Sequence, residues 1–199
     1  MLRNASWLVL TLLLMFPGCT APAAIESVET EDGLEIPERL NIIAETAYRE
    51  IDRVETMDLL QDANGKNTMI LWVSTGCSGC HDWTEMIAEE MRSGNISNDT
   101  RIVTIHRYPS FESRDEVIEV YASSNSTTES LWPVLIPNEG QPALDVDKNQ
   151  ETEFDYSTAF ETPATPSFTI LDGEGNTIWK NKTYWYNSSV LSEALEVLG

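Results

Sequence analysis

Positive charge is what this sequence has least of. In 199 residues, 12 Lys and Arg stand against 33 Asp and Glu, a formal net charge of -21. A field of that sign repels phosphate backbones and anionic lipid headgroups, so nucleic acid is not an expected partner. The carboxylates are spread along the whole chain and read as a solvated surface, not as one acidic binding site. Histidine is nearly absent, with 2 in the chain (His81 and His106), too few to support more than a weak zinc reading, and no metal ligands are expected. Internal repeats are lacking. Cysteine is scarce and odd in number at 3, so one of them calls for a separate explanation. What the chain does have is a core: 41% of its residues are hydrophobic, enough for a single packed domain and too many for a disordered acidic tail.

The first residues read as an export signal over 1–18. Arg3 supplies the positive end, and the apolar run Trp7 to Phe16 is too short to span a bilayer comfortably. The run ends in Pro17-Gly18-Cys19, which resembles the lipobox of lipoproteins, where the cysteine becomes the first mature residue and carries lipid. Cys19 is then the odd cysteine, and the lipid holds the protein on the outer face of the cell membrane. Ordinary signal cleavage after Ala21-Pro22-Ala23 is the alternative, and it releases a soluble secreted protein. Residues 19–36 are acidic and poor in large apolar groups, as a flexible tether would be. Sequons at Asn95, Asn98, Asn125, Asn181 and Asn187 agree with an exterior location.

Residues 37–199 are expected to form the domain. Leu40, Ile43, Ala44, Ala47 and Tyr48 share a helical face, which predicts a helix from Pro37 to about Leu60, with Pro37 in the first turn. Thr68 to Ser74 is a continuous apolar run, the pattern of a strand buried on both faces. Helical spacing returns from Cys77 to Met91 through Trp83 and Ile87. Arg101 to His106 reads as a second strand, Phe111 to Tyr121 as a helix, and Trp132 to Ile136 as a short extended segment. The polar, acidic stretch Asp145 to Tyr156 reads as an inserted loop. Ser167 to Leu171 and Thr177 to Lys180, joined through Gly173 and Gly175, predict a β-hairpin. A helix over Ser188 to Leu198 closes the chain. A parallel βαβ unit followed by an antiparallel hairpin implies an α/β fold with a mixed sheet and helices on both faces.

Cys77-Ser78-Gly79-Cys80 lies where the buried strand gives way to a helix, the context in which a C-x-x-C becomes a redox motif. The first cysteine meets the unsatisfied N–H groups of the helix start, which favour the thiolate, the species that attacks a disulfide. The second lies one turn in, within reach to resolve a mixed disulfide. On these residues, together with Thr165-Pro166-Ser167-Phe168-Thr169-Ile170-Leu171-Asp172-Gly173, residues 51–199 resemble the thioredoxin superfamily. Within it they resemble the membrane-anchored thiol-disulfide oxidoreductases of the TlpA/ResA type.

The resemblance implies a thioredoxin-like mixed central sheet with an N-terminal helical extension and a mid-fold insertion. It implies Cys77 as nucleophile, Cys80 as resolving thiol, Pro166 in cis facing the pair, and Thr165 offering its backbone to an extended substrate. It further implies an extracytoplasmic enzyme that reduces or exchanges disulfides in exported proteins, a reductase before an oxidase or isomerase. Such an enzyme has no cofactor, and a separate electron donor recharges it. Three positions depart from the family pattern: Gly76 where Trp usually precedes the first cysteine, Leu71 where many members bury an acid, and Glu85 in place of a helix proline. The helix terminus contributes about 0.3–2 kcal/mol towards a thiolate, and Asp82, Glu85, Glu89 and Glu90 oppose it, so a strongly oxidising pair is not expected.

Cys77-Ser78-Gly79-Cys80-His81 also matches the c-type haem attachment pattern, with His81 as axial ligand. Met86 and Met91 lie on the same predicted helix and reach the opposite haem face poorly, and a small cytochrome would be mostly helical. Otherwise His81 is an exposed first-turn residue and His106 merely ends a strand. A third reading is a non-catalytic binding module in which the cysteines staple the helix start. So short a loop removes little chain entropy, which weakens that reading.

Overall fold

The computed structural model describes residues 35–199. The export signal at 1–18, Cys19 and the tether up to Leu34 lie outside the described residues.

Strand β4 (Thr68–Val73) is the centre of the molecule, and every one of its residues is buried. β1 (Leu40–Asn41), β2 (Ile43–Glu45), β3 (Thr56–Asp58) and helix α1 (Leu59–Ala63) precede it. Helix α2 (Ser78–Arg92), β5 (Ile102–His106), α3 (Arg114–Tyr121) and β6 (Val134–Leu135) follow. The chain ends with β7 (Pro142–Asp145), β8 (Gln150–Asp155), α4 (Tyr156–Ala159), β9 (Ser167–Leu171), β10 (Thr177–Asn181) and α5 (Ser188–Leu198). The main sheet has the order β10-β9-β4-β5-β6. β4, β5 and β6 run parallel, while β9 and β10 run antiparallel, so the sheet is mixed as expected.

Alternation along the central strands divides the core in two. Met69, Leu71 and Val73 face Trp83 and Ile87 of α2, Val117 and Tyr121 of α3, and Leu191 and Ala194 of α5. Ile70, Trp72, Val103 and Ile105 face the other way, onto Leu40, Ile42, Leu59, Tyr156 and Phe160. The longer helices therefore cover one face. The N-terminal strands, the insertion and the short helices α1 and α4 cover the other.

The N-terminal helical extension is corrected. Residues 37–58 form strands and one 3-10 turn at Glu50–Asp52, and the only α-helix before β4 among the described residues is the short α1. Leu40, Ile42 and Ala44 turn inward at period two, whereas Ile43 and Tyr48, which a helix would have buried, are 40% and 69% exposed. The apolar spacing serves either period, and pairing decides it: β2 pairs with β3, and β1 pairs with β7. Ala47 N–H reaches the Val134 carbonyl and Ile136 N–H the Glu45 carbonyl, so this segment also covers the β6 edge of the main sheet.

The inserted loop is corrected as well. β7 and β8 form an antiparallel hairpin, with β1 as its third strand. β8 (Gln-Glu-Thr-Glu-Phe-Asp) has no fully buried residue, so no apolar alternation marks it, and its ladder hydrogen bonds alone make it a strand. No helix among the described residues is long and apolar enough to cross a membrane.

Candidate functional site

The parallel strands β4 and β5 end side by side, with Val73 paired to His106. At this carboxyl edge the chain leaves β4 through Ser74-Thr75-Gly76 and enters α2. Cys77 is the N-cap: its backbone is extended, and its Sγ accepts the Cys80 N–H at 3.1 Å. A sulfur in that place takes up a donor the helix leaves unpaired, and the same donor favours a thiolate. Cys77 and Cys80 are joined in a disulfide with Cα atoms 5.2 Å apart. Cys80 is fully buried and Cys77 keeps 7% of its surface. Of the two residues only Cys77 keeps any surface, which is the asymmetry an attacking and a resolving thiol require.

Thr165 and Pro166 lead into β9. β9 pairs antiparallel with β4, with Ser167 opposite Trp72, so the two residues before β9 continue beside Val73 and Ser74. The Thr165 hydroxyl stands 3.3 Å from that of Ser74, and the Thr165–Pro166 peptide bond is cis. Cys77, Cys80, Thr165 and Pro166 are thus gathered at one edge of the sheet. Cys19 lies outside the described residues.

Gly79 is required by a close approach. A Cβ there would stand 2.4 Å from the Tyr184 carbonyl oxygen and 3.0 Å from its ring. The segment 181–186 is drawn over the start of α2 by Trp83 Nε1–H, which donates to the Thr183 carbonyl at 2.8 Å, and by Tyr186 N–H, which donates to Asp82 at 2.7 Å. Tyr184 and Trp185 consequently present partly exposed aromatic surface beside the cysteine pair.

His106 ends β5 as expected, while the exposed first-turn reading of His81 is corrected. His81 is half-buried: its ring nitrogen bonds the Thr75 carbonyl at 2.8 Å and its edge meets Tyr121. His106 is fully buried, and its Nε2 donates to Glu112 Oε2 at 2.8 Å. The same Oε2 accepts the Thr75 N–H at 2.8 Å, while Oε1 lies 3.5 Å from the Gly76 nitrogen. Leu71, the departure from the position where many members of the superfamily bury an acid, packs in the apolar core. A carboxylate reaches the turn before Cys77 from another element, the loop ahead of α3. Local pattern does not mark that side chain, because the turn it holds is 36 and 37 residues away. One signal for it was His106 at the end of a strand parallel to β4. Such a position puts a side chain level with the C-x-x-C turn.

Burial pushes the His106 imidazole below its ordinary value, against the pull of Glu112, and the ring is neutral at pH 7. Burial resists ionisation of Glu112, but the Thr75 N–H and the His106 hydrogen bond outweigh it and hold the carboxyl below its usual range. Hydrogen bonds at their helix and turn starts overcome the same resistance at Asp155 and Asp172. All four shifts act in one direction on stability. As pH falls through about 6.5 the unfolded chain takes up a proton at His106 before the folded protein does, and below about 4 the carboxylates repeat this. The thermal midpoint should therefore be level between about pH 7 and pH 9 and decline on acidification from about pH 6.5. A midpoint unchanged between pH 7 and pH 5 would contradict the buried neutral histidine.

No protein-family model matches the chain, and no curated protein matches it. Solved structures do. The thioredoxin domain of a thiol-disulfide oxidoreductase from Bacteroides vulgatus aligns with a TM-score of 0.53 at 16% identity, over 80% of this chain and 94% of that one. A candidate thiol:disulfide interchange protein DsbE from Chlorobium tepidum gives 0.54 at 10% identity, over 82% and 96%. DsbF of MTB, in mixed oxidised and reduced forms, gives 0.51 at 13%, over 82% and 99%. At such low identities the likeness is one of architecture, and the chain has the thioredoxin fold.

Proposed function

We propose that the protein is an extracytoplasmic thiol-disulfide oxidoreductase that reduces disulfides in exported proteins. The observation that carries this reading is the asymmetric pair: Cys77 caps α2 and reaches the surface, while Cys80 is sealed one turn behind it. In the reduced protein the Cys77 thiolate attacks one sulfur of a substrate disulfide. A mixed disulfide forms and the other substrate sulfur leaves, taking a proton. Cys80 then loses its proton and attacks Cys77 Sγ, and the second substrate thiol departs. Two electrons have passed to the substrate, and the Cys77–Cys80 disulfide remains for a donor dithiol to reduce. Thr165 and Pro166, beside Ser74, are the backbone against which an extended substrate segment would lie.

Reduction is favoured over oxidation because carboxylates surround the helix start. Asp82 lies within the first turns of α2, and Glu112 contacts the preceding turn. Anions there disfavour a standing Cys77 thiolate, and with it a strongly oxidising disulfide. The lipobox-like Pro17-Gly18-Cys19 supports attachment to the outer face of the cell membrane, with residues 19–36 setting the reach of the domain. Partners would be exported protein disulfides and a membrane-side electron donor.

Trapping tests the reading. With Cys80→Ser, the attack by Cys77 should stall as a covalent mixed disulfide, visible on non-reducing gels and released by dithiothreitol. Cys77→Ser should trap nothing. If neither variant captures a disulfide-bonded test protein, the enzymatic reading fails.

A further inference from the structure

His106 is buried and its partner Glu112 half-buried; the pair takes no part in the exchange steps above, yet it is built into the turn that carries Cys77. Glu112 Oε2 accepts both the Thr75 N–H and the His106 Nε2–H, and its other oxygen faces the Gly76 N–H. The carboxylate is 17% exposed and the imidazole 1%. His106 Nδ1 is buried and has no hydrogen-bond partner among the described residues. Only the neutral tautomer with its proton on Nε2 suits that arrangement, because a second ring N–H would be left unpaired. The imidazole therefore orients Glu112 without neutralising it, and the pair carries one net negative charge against the Thr75 N–H, two residues before the nucleophile in sequence.

We propose that Glu112, oriented by His106, is a positioning residue that holds the Ser74-Thr75-Gly76 turn and keeps the Cys77–Cys80 pair reducing. The inference rests on the oxidoreductase reading and supplies the acid that Leu71 does not. Its consequence follows from charge. Reducing the disulfide with two electrons produces a Cys77 sulfur whose ionised form is repelled by Glu112. The reduced state is thereby disfavoured, and the potential lies lower than the helix terminus alone would set it.

Other groups bear on the same corner. Tyr121 of α3 donates its hydroxyl to the Ser74 carbonyl at 2.6 Å and is held un-ionised by burial. His81 of α2 is bonded to the Thr75 carbonyl. Arg107 follows His106 but donates to the Pro163 carbonyl, and Glu116 is engaged with Ser113. Asp82 receives the Tyr186 N–H. None of these cancels the Glu112 charge through a direct contact with the carboxylate.

The test is Glu112→Gln, which keeps an oxygen for Thr75 and His106 and removes the charge, beside Glu119→Gln, which removes an exposed charge on α3. At a pH above the Cys77 alkylation midpoint, where the thiolate is the reduced species, equilibration with glutathione should shift about tenfold towards the reduced form in Glu112→Gln, equivalent to about 30 mV. The pH midpoint for alkylation of Cys77 should fall by about one unit, and Glu119→Gln should change neither. Glu112→Gln matching wild type or Glu119→Gln in both measurements would overturn the proposal. The unmutated protein supplies an independent check through the ring nitrogen shifts of His106, which should show a neutral Nε2–H imidazole at pH 7. A doubly protonated ring would overturn the proposal, since the pair would then be neutral. A shifted potential in a protein that traps no substrate would retain this inference and reject the oxidoreductase reading.

Discussion

Trp83→Ala should cost about 3–5 kcal/mol of unfolding free energy, the range for removing a fully buried large aromatic side chain. Trp83 has no exposed surface and its ring centroid lies 4.6 Å from Phe168 and 5.1 Å from Tyr186. It joins three elements: α2, which bears the cysteines; β9, which follows Pro166; and the segment leading into α5. Its Nε1–H also satisfies the Thr183 carbonyl at 2.8 Å. Trp83→Phe isolates that bond, because it keeps a ring and orphans the carbonyl, and about 1–2 kcal/mol should be lost. Denaturant titration measures both. The alanine variant should also loosen Tyr184 over Gly79, seen as faster hydrogen exchange in residues 183–186. A loss below 1 kcal/mol for Trp83→Ala would mean that this packing does not hold the site together.

A comparable loss, about 3–5 kcal/mol, is expected for Asp52→Ala. Asp52 is completely buried, and its carboxylate accepts from the Arg49 side chain at 2.9 and 3.2 Å, from the Arg49 N–H at 2.7 Å and from the Val134 N–H at 3.2 Å. Arg49 also reaches the carbonyls of Ser130 and Trp132 at 2.7 and 2.8 Å. Two segments about 80 residues apart are thus clamped through one ion pair. Removing the acid leaves a mostly buried guanidinium without its counter-charge, and that stranded charge is the larger part of the cost. The contrast is Arg39→Ala. Its ion pair with Asp147 is solvent-exposed, and the change should stay within about 1 kcal/mol. Equal losses in the two variants would show that burial of the Asp52 pair contributes nothing.

Arg49 and Asp52 lie in a place where reading along the chain has little purchase. The helical spacing that predicts a helix over 37–60 is also satisfied by strands, and Arg49 and Asp52 look like ordinary surface charges until Ser130, Trp132 and Val134 arrive beside them. β8 carries no apolar alternation, so only its pairing with β7 reveals it. Trp83, by contrast, stands at helical spacing with Ile87 and Met91 in one short segment, and its burial follows from that spacing.

The sequence by itself determined the central strand, the helix that follows it, the C-x-x-C at their junction, and the hairpin that follows Thr165 and Pro166. Each is written in a few consecutive residues: an apolar run for β4, an N-cap sulfur and a helical period for α2, a glycine turn for β9 and β10. Tertiary structure decided what surrounds the sulfurs. Glu112 and His106 meet Thr75, and Tyr184 closes over Gly79. Those contacts join groups made neighbours only by parallel pairing of β4 with β5 and by the return of the chain past α2. Periodicity records which face of an element is apolar. It carries no record of which distant polar group will be buried against it, and the charge beside Cys77 is set by that meeting.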